Sequence, residues 1–279
     1  MKLLNKTLLI TGASGGIGTQ TAQLLAKQGC TLILVGRNKT VLNKLLVELN
    51  KASEQQHKAV AADLGTRQGR EAVVQHAPKT DGLINLAGVN QLAMFENMSD
   101  TEITHIISSN LTAPMLLTRD FIPHLASRDE AVILNVGSIL GSIGIPGSIA
   151  YCASKFGLRG FSEALKRELA DTSIKVSYVA PRATATKMND GAISSLNDKL
   201  GNNTDTPDVV ALAIVNALQS KYAVNRYLGW PEKLFVRINA LFPNLVDGSL
   251  IKQLAIIKKY AKKTRRLSEN EKRSEIIDF

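Results

Sequence analysis

The chain has 279 residues, 44% of them hydrophobic and 21% charged, with a formal net charge of +10 and two cysteines. That length suits one α/β domain with a large core and no need of disulfide staples, and no run approaches the roughly 18 apolar residues of a membrane span. Residues 250–279 hold nine Lys/Arg against four Asp/Glu, half of the charge excess, so the rest of the surface is too mildly basic to argue for nucleic-acid binding.

In chain order, residues 7–10 read as a buried strand and 16–29 as a helix stopped by Gly29. Residues 31–35 read as a second strand, after which Val41, Leu42, Leu45, Leu46 and Leu49 recur at helical spacing. Strands are expected at 58–62 and 83–86, then a helix from Asp100 to Pro114 with room to continue past the proline at an offset. A fifth strand at 132–136, a long helix at 151–170 and a sixth strand at 174–179 follow. Residues 187–206 are polar and rich in Gly, Asn, Ser and Asp, and read as a mobile segment with short helical pieces. Pro207 opens a helix over 208–219. Continuous apolar strands alternating with helices describe a doubly wound parallel sheet in three α/β/α layers, with its ligand crevice at the strands' C-terminal ends. Residues 1–229 make this domain and 230–279 a C-terminal helical extension.

The first strand runs into Thr11-Gly12-Ala13-Ser14-Gly15-Gly16-Ile17-Gly18 and then a helix. Phosphate oxygens need backbone N–H donors and room to approach; glycines clear that room and the helix N-terminus adds favourable partial charge. A second pattern is Tyr151-Cys152-Ala153-Ser154-Lys155 at the start of the long helix. Residues four apart share a helix face, so a phenol and an ammonium lie side by side. A nearby Lys⁺ is expected to favour the tyrosinate and lower its pKa from about 10. Ser138 lies thirteen residues earlier, at the end of the fifth strand, close enough for a loop to bring it back to the helix start.

These motifs, over about residues 5–220, resemble the short-chain dehydrogenase/reductase family, whose phosphate loop has the same Gly-x3-Gly-x-Gly spacing. The resemblance implies a Rossmann fold and a nicotinamide cofactor held by Gly12, Ser14, Gly16, Ile17 and Gly18. It implies Asp63 and Leu64 at the adenine, and Asn85, Ala87 and Gly88 beneath the cofactor, although Leu86 replaces the family's second Asn. Pro181 and Thr186 match the family's nicotinamide-side element, and Tyr151 and Lys155 also touch the cofactor. After the second strand no carboxylate is present to bind ribose hydroxyls; Arg37 stands there instead and suits a 2′-phosphate, which favours NADP(H) over NAD. The implied catalytic set is Asn110, Ser138, Tyr151 and Lys155. Arg182 replaces the family's glycine after Pro181, with two readings open: contact with the cofactor pyrophosphate or an acidic substrate, or a solvated side chain.

His57, His76, His105 and His124 lack metal-ligand spacing and read as ordinary surface or helix residues, with no metal expected. Cys30 and Cys152 read as small buried apolar residues compatible with a reducing cytoplasm. In the tail, Leu250, Leu254, Ile257 and Ala261 recur along one helix face, with Lys252, Lys258, Lys259, Lys262, Lys263, Arg265 and Arg266 over much of the rest, and fraying is expected from Leu267. The helix packs on its own domain or a partner subunit, or lies on an anionic membrane surface. The leading expectation is an NADPH-dependent oxidoreductase interconverting a carbonyl and a secondary alcohol. Its substrate is a small molecule, lipid or acyl-linked groups included, and 3-oxoacyl reduction is the leading analogy. The enzyme is expected to be a cytoplasmic homodimer or homotetramer, with attachment to the inner face of a membrane as an alternative location. The rivals are a non-catalytic NADPH-binding scaffold and a membrane-surface lipid reductase.

Overall fold

The computed structural model describes the backbone of residues 1–277 and the side chains of residues 1–262. Its elements in order are β1 (Thr7–Thr11), α1 (Gly16–Lys27), β2 (Thr31–Gly36), α2 (Lys39–Ala52), β3 (Lys58–Ala61), α3 (Arg67–His76), β4 (Gly82–Asn85), α4 (Asp100–Ile107), α5 (Ala113–Ala126), β5 (Ala131–Val136), α6 (Ile149–Glu168), β6 (Ile174–Ala180), α7 (Ala192–Leu200), α8 (Pro207–Gln219), β7 (Asn225–Tyr227), α9 (Glu232–Leu241) and α10 (Pro243–Ile277). The strands form one parallel sheet in the order β3-β2-β1-β4-β5-β6-β7. Chain direction across the sheet reverses between β1 and β4, and a doubly wound sheet opens its crevice at that point.

Side-chain alternation along the strands divides the core. Leu8 and Ile10 of β1 pack with Leu25, Leu42 and Ile214 under α1, α2 and α8. Leu9 points the other way, to Leu117, Phe121 and Leu165 under α5 and α6. Buried apolar surface on both faces at about 25 cal/mol per Å² is what holds a parallel sheet between helical layers.

Several elements differ from the sequence reading. The helix α3 was not expected, because its only fully buried apolar residue is Val73, and one apolar contact gives no period. The strand β7 is three residues long and polar in sequence. It is held by register with Tyr178–Ala180 rather than by hydrophobicity. The short helical pieces expected within 187–206 are a 3-10 turn and α7, and α7 is held where Ala192 and Leu196 pack against Leu92, Ile257 and Ala261. Those last two residues belong to α10, so the apolar stripe of the tail packs on its own domain. The helix continues to Ile277 where fraying from Leu267 was expected; Glu, Lys and Arg are good helix formers. The side chains of Lys263, Arg265 and Arg266 lie outside the described residues. His57 is not a surface residue: it is buried, and its Nδ1 accepts from the Leu32 N–H at 3.1 Å. Cys30 and Cys152 are buried free thiols, pushed up in pKa by burial.

The helix expected from Asp100 past Pro114 is interrupted. Ser99 opens it with a reciprocal capping box to Glu102. Residues Ser108–Thr112 then form a π turn, and α5 follows with Pro114 in its first turn, where a missing N–H costs nothing. The offset thus lies just before the proline.

Candidate active site

The C-terminal ends of β1, β4, β5 and β6 open on a crevice of about 860 Å³. Its lining includes Gly12, Ser14, Gly16, Ile17, Arg37, Asp63, Leu64, Asn85, Ala87, Gly88, Ser138, Tyr151, Lys155, Pro181 and Thr186. Those fifteen residues, expected from separate motifs, therefore meet at one place. Gly18 and Asn110 do not reach the surface of the crevice and act from behind it.

At the β1 end the backbone turns through Gly12 at φ +69°, and a Cβ there would lie 2.8 Å from the Ala87 Cα. The loop after β1 and the loop after β4 can touch only because that atom is missing. A Cβ on Gly18 would collide with the Gly12 carbonyl, so Gly18 is required for loop packing and not for contact in the crevice. The Thr11 hydroxyl bridges the two loops, accepting from the N–H groups of Leu86 and Ala87 at 3.0 and 3.1 Å. Asn85 braces the sheet beneath, donating to Thr118 Oγ1 and Asn135 Oδ1 at 3.0 and 2.9 Å. The Leu86 departure therefore leaves this bracing in place.

Arg37 is exposed at the end of β2 and lines the crevice beside Asn38, which caps α2. Asp63 is the one carboxylate among the described lining residues. Its Oδ1 accepts from the Gly65 N–H at 2.9 Å, while Thr66 supplies the N-cap of α3. The residues that follow β2 around Arg37 include no carboxylate.

At the other end, α6 carries Tyr151 and Lys155 one turn apart, with the Lys155 Nζ 5.7 Å from the Tyr151 ring centre. The Tyr151 hydroxyl is hydrogen-bonded to the Ser138 side chain, and Ser138 is held from below. Its Oγ accepts from the Leu140 N–H at 3.1 Å, and its carbonyl accepts from the buried Tyr178 hydroxyl at 3.5 Å. The Tyr178 hydroxyl fills the space where a Cβ on Gly137 would stand. Lys155 is buried and donates to the Val136 carbonyl at 3.0 Å.

The ionisation of this pair differs from the sequence expectation. Burial pushes the Tyr151 phenol up to about 12, a rise the Ser138 hydrogen bond only partly offsets. Burial also pushes the Lys155 ammonium down to about 8. In the protein by itself the phenol is thus held as an acid, because burial disfavours its charged form.

Asn110, in the π turn, is fully buried. Its Oδ1 accepts from the Val89 N–H at 2.8 Å, and its Nδ2 donates to the Val89 carbonyl at 2.9 Å and to Ser154 Oγ at 3.0 Å. Ser154 in turn donates to the Tyr151 carbonyl at 2.7 Å. The sequence reading did not single out Ser154; it lies inside the Tyr-x3-Lys motif, but its link to Asn110 spans 44 residues. Arg182 lines the crevice and is also tied to two carboxylates: Asp205 Oδ1 accepts from its Nη2 at 2.7 Å, and Glu232 Oε2 from its Nη1 at 3.1 Å. Those carboxylates raise its pKa.

The residues fit a dinucleotide. The Gly12–Ala87 contact leaves bare backbone, the N–H groups at the start of α1 face the crevice, and its lining holds more basic than acidic side chains. The short chain dehydrogenase family model matches residues 6–196. Over 256 residues the chain is 35% identical to the ketoacyl reductase HetN of a Nostoc species, covering 88% of both chains. It is also 35% identical over 197 residues to the 3-oxoacyl-acyl-carrier-protein reductase FabG of Rickettsia felis, covering 71% of this chain and 78% of the relative. Among solved structures, the 3-ketoacyl-acyl-carrier-protein reductase of Brucella melitensis complexed with NADH superposes with TM-score 0.75. It shares 29% sequence identity, covering 82% of this chain and 99% of the other. The protein belongs to the short-chain dehydrogenase/reductase family of oxidoreductases.

Proposed function

We propose that the protein is an NADPH-dependent reductase interconverting a carbonyl and a secondary alcohol, with Tyr151 as its general acid and base. The observation that carries this reading is the convergence of Tyr151, Ser138 and Lys155 at one end of a crevice whose other end bears Arg37. Its likeness to ketoacyl reductases favours an acyl-linked ketone as substrate.

Residues 12–17 hold the phosphates through backbone N–H groups at the start of α1, with Gly18 allowing the loop to pack behind them. Arg37 pairs with a 2′-phosphate through its planar fork, and Asp63 with Leu64 accepts the adenine. Asn85, Ala87 and Gly88 floor the middle of the crevice, and Pro181 and Thr186 flank the nicotinamide end. Bound there, the cofactor supplies the hydride. The Brucella relative is complexed with NADH, so the preference for NADPH rests on Arg37 and on the absence of a carboxylate beside it.

Ser138 and Tyr151 share a hydrogen bond, so a substrate oxygen placed against both meets two hydroxyl donors. As negative charge grows on that oxygen, Tyr151 transfers its proton to it; the raised pKa keeps that proton available at neutral pH. Lys155 sets positive charge behind the phenol, and the proton that Tyr151 gives up is replaced from solvent on the side of the site that Lys155 and Asn110 hold in place. In the reverse direction the positive nicotinamide favours tyrosinate, and Tyr151 accepts the alcohol proton.

Met115, Ile149 and Phe156 expose apolar side chains on α5 and α6, which supports a homodimer or homotetramer through those helices. Two buried unpaired thiols suit the cytoplasm. The test is a carbonyl-substrate screen that follows NADPH absorbance, with Tyr151→Phe beside the native enzyme. Turnover that survives in Tyr151→Phe would sink the mechanism. NADPH binding without any reducible carbonyl would favour a scaffold.

A further inference from the structure

Leu4 and Tyr222 apart, the most exposed large apolar side chains of the described surface gather around the α9–α10 junction, between Trp230 and Ile251. Leu241 is 72% exposed, Leu245 69%, Ile251 67%, Trp230 63% and Phe242 59%. A surface helix ordinarily turns its apolar stripe inward, and α9 does the opposite. Its inward side is Val236, packed on Ile139 and Ile143, and Asn239, whose Nδ2 donates to the Ser142 carbonyl at 2.9 Å. At about 100° per residue, Leu234, Phe235, Leu241 and Phe242 fall within roughly 120° of the outer circumference, flanked by Lys233 and Arg237. Contiguous exposed apolar residues rimmed by charge mark an interaction surface.

The charge beside that ridge is of one sign. The apolar stripe of α10 is used against α7, which leaves Lys252, Lys258, Lys259 and Lys262 exposed on its outer side. The acids of α9 and the described part of α10 are Glu232 and Asp247, and Glu232 is committed to Arg182. Trp230 has the Lys233 ammonium 5.5 Å from its ring, an aromatic–cation pair suited to a lipid headgroup layer.

We propose that α9 and α10 dock the protein on an anionic lipid bilayer. The Leu234–Phe242 ridge enters the headgroup boundary and the outer lysines of α10 meet lipid phosphates. A second copy of this chain fits the surface less well. A two-fold contact brings a patch against itself, and here that would set lysine against lysine. Attachment is peripheral, since no described helix is long and apolar enough to cross a membrane. This surface is distinct from the apolar stripe read from the sequence, which is buried. It is also independent of the reaction in the crevice.

The test is co-sedimentation of the full chain with vesicles of phosphatidylcholine alone, or of phosphatidylcholine mixed with phosphatidylglycerol. The native protein is expected to sediment with the mixed vesicles only, and less so as salt rises. Leu241→Glu/Phe242→Glu and, separately, Lys258→Glu/Lys259→Glu should each weaken sedimentation about ten-fold or more. Both should keep native melting curves, because these side chains are exposed. The proposal is overturned if the native protein stays in the supernatant with mixed vesicles, or if both variants sediment as the native protein does. It is also overturned if Leu241→Glu/Phe242→Glu lowers the molar mass in solution by light scattering, which would assign the ridge to a second copy.

Discussion

Asn110 grips the backbone of Val89 from both sides, accepting from its N–H at 2.8 Å and donating to its carbonyl at 2.9 Å. Both Val89 groups are thereby satisfied by one side chain in the loop that floors the crevice. Asn110→Ala would leave them unpaired, at about 1–3 kcal/mol for each buried group. The expected result is a melting temperature lowered by several degrees, with kcat reduced because Ser154 and the Tyr151 carbonyl lose their anchor. Asn110→Asp keeps the acceptor but loses the donor, and should fall between the two. Thermal melts beside steady-state kinetics check both.

Tyr151→Phe removes one hydroxyl and leaves the ring. Proton transfer by a positioned side chain contributes about 10²–10⁴-fold, so kcat should fall by that range. NADPH affinity, read by fluorescence titration, should hardly move.

Lys155 contributes a stability penalty that depends on pH. Its pKa stands at about 8 in the folded protein against an ordinary 10.5. Between those values the unfolded chain binds more protons than the folded one, so stability rises with pH. The penalty is fully present below pH 8 and is relieved as pH climbs toward the ordinary value. Lys155→Met should therefore stabilise the protein at neutral pH by about 1–3 kcal/mol. The gain should shrink under alkaline conditions, and activity should be lost. Melting curves across pH test the sign.

Arg37→Glu should raise the KM for NADPH about ten-fold or more, through loss of a charge-assisted pair and gain of repulsion. The KM for NADH should change little or improve. An unchanged ratio of the two would remove Arg37 from cofactor selection.

Arg182 holds Asp205 and Glu232, and so ties the loop after β6 to the start of α9. Arg182→Ala leaves both carboxylates without their shared partner and should cost about 1–3 kcal/mol. The expected signature is a lower melting temperature and a higher substrate KM, with kcat far less affected than in Tyr151→Phe.

How much of this was legible in the sequence depends on where each element's partner lies. The strands β1, β2, β4 and β5 are continuous apolar runs, and the glycine loop and Tyr151–Lys155 pair are local patterns, so they could be read directly. The packing of α7 could not be read, because Ala192 and Leu196 find Ile257 and Ala261 some sixty residues later. The ion pairs of Arg182 could not be read for the same reason: its carboxylates are 23 and 50 residues away. The pKa directions at Tyr151 and Lys155 depend on desolvation, and four-residue spacing says nothing about burial.

The π turn at Ser108–Thr112 spends one residue more per turn than an α-helix. The extra residue lets α4 face α6 while α5 turns Leu117, Phe121 and Leu125 onto the sheet, with Asn110 aimed inward between them. Deleting one residue from 108–112 would close the wide turn into a regular α-helical one and take away the extra residue that lets Asn110 project inward. In this stretch of the chain, length is therefore as constrained as side-chain identity: amino-acid exchanges can be tolerated where a single-codon deletion cannot.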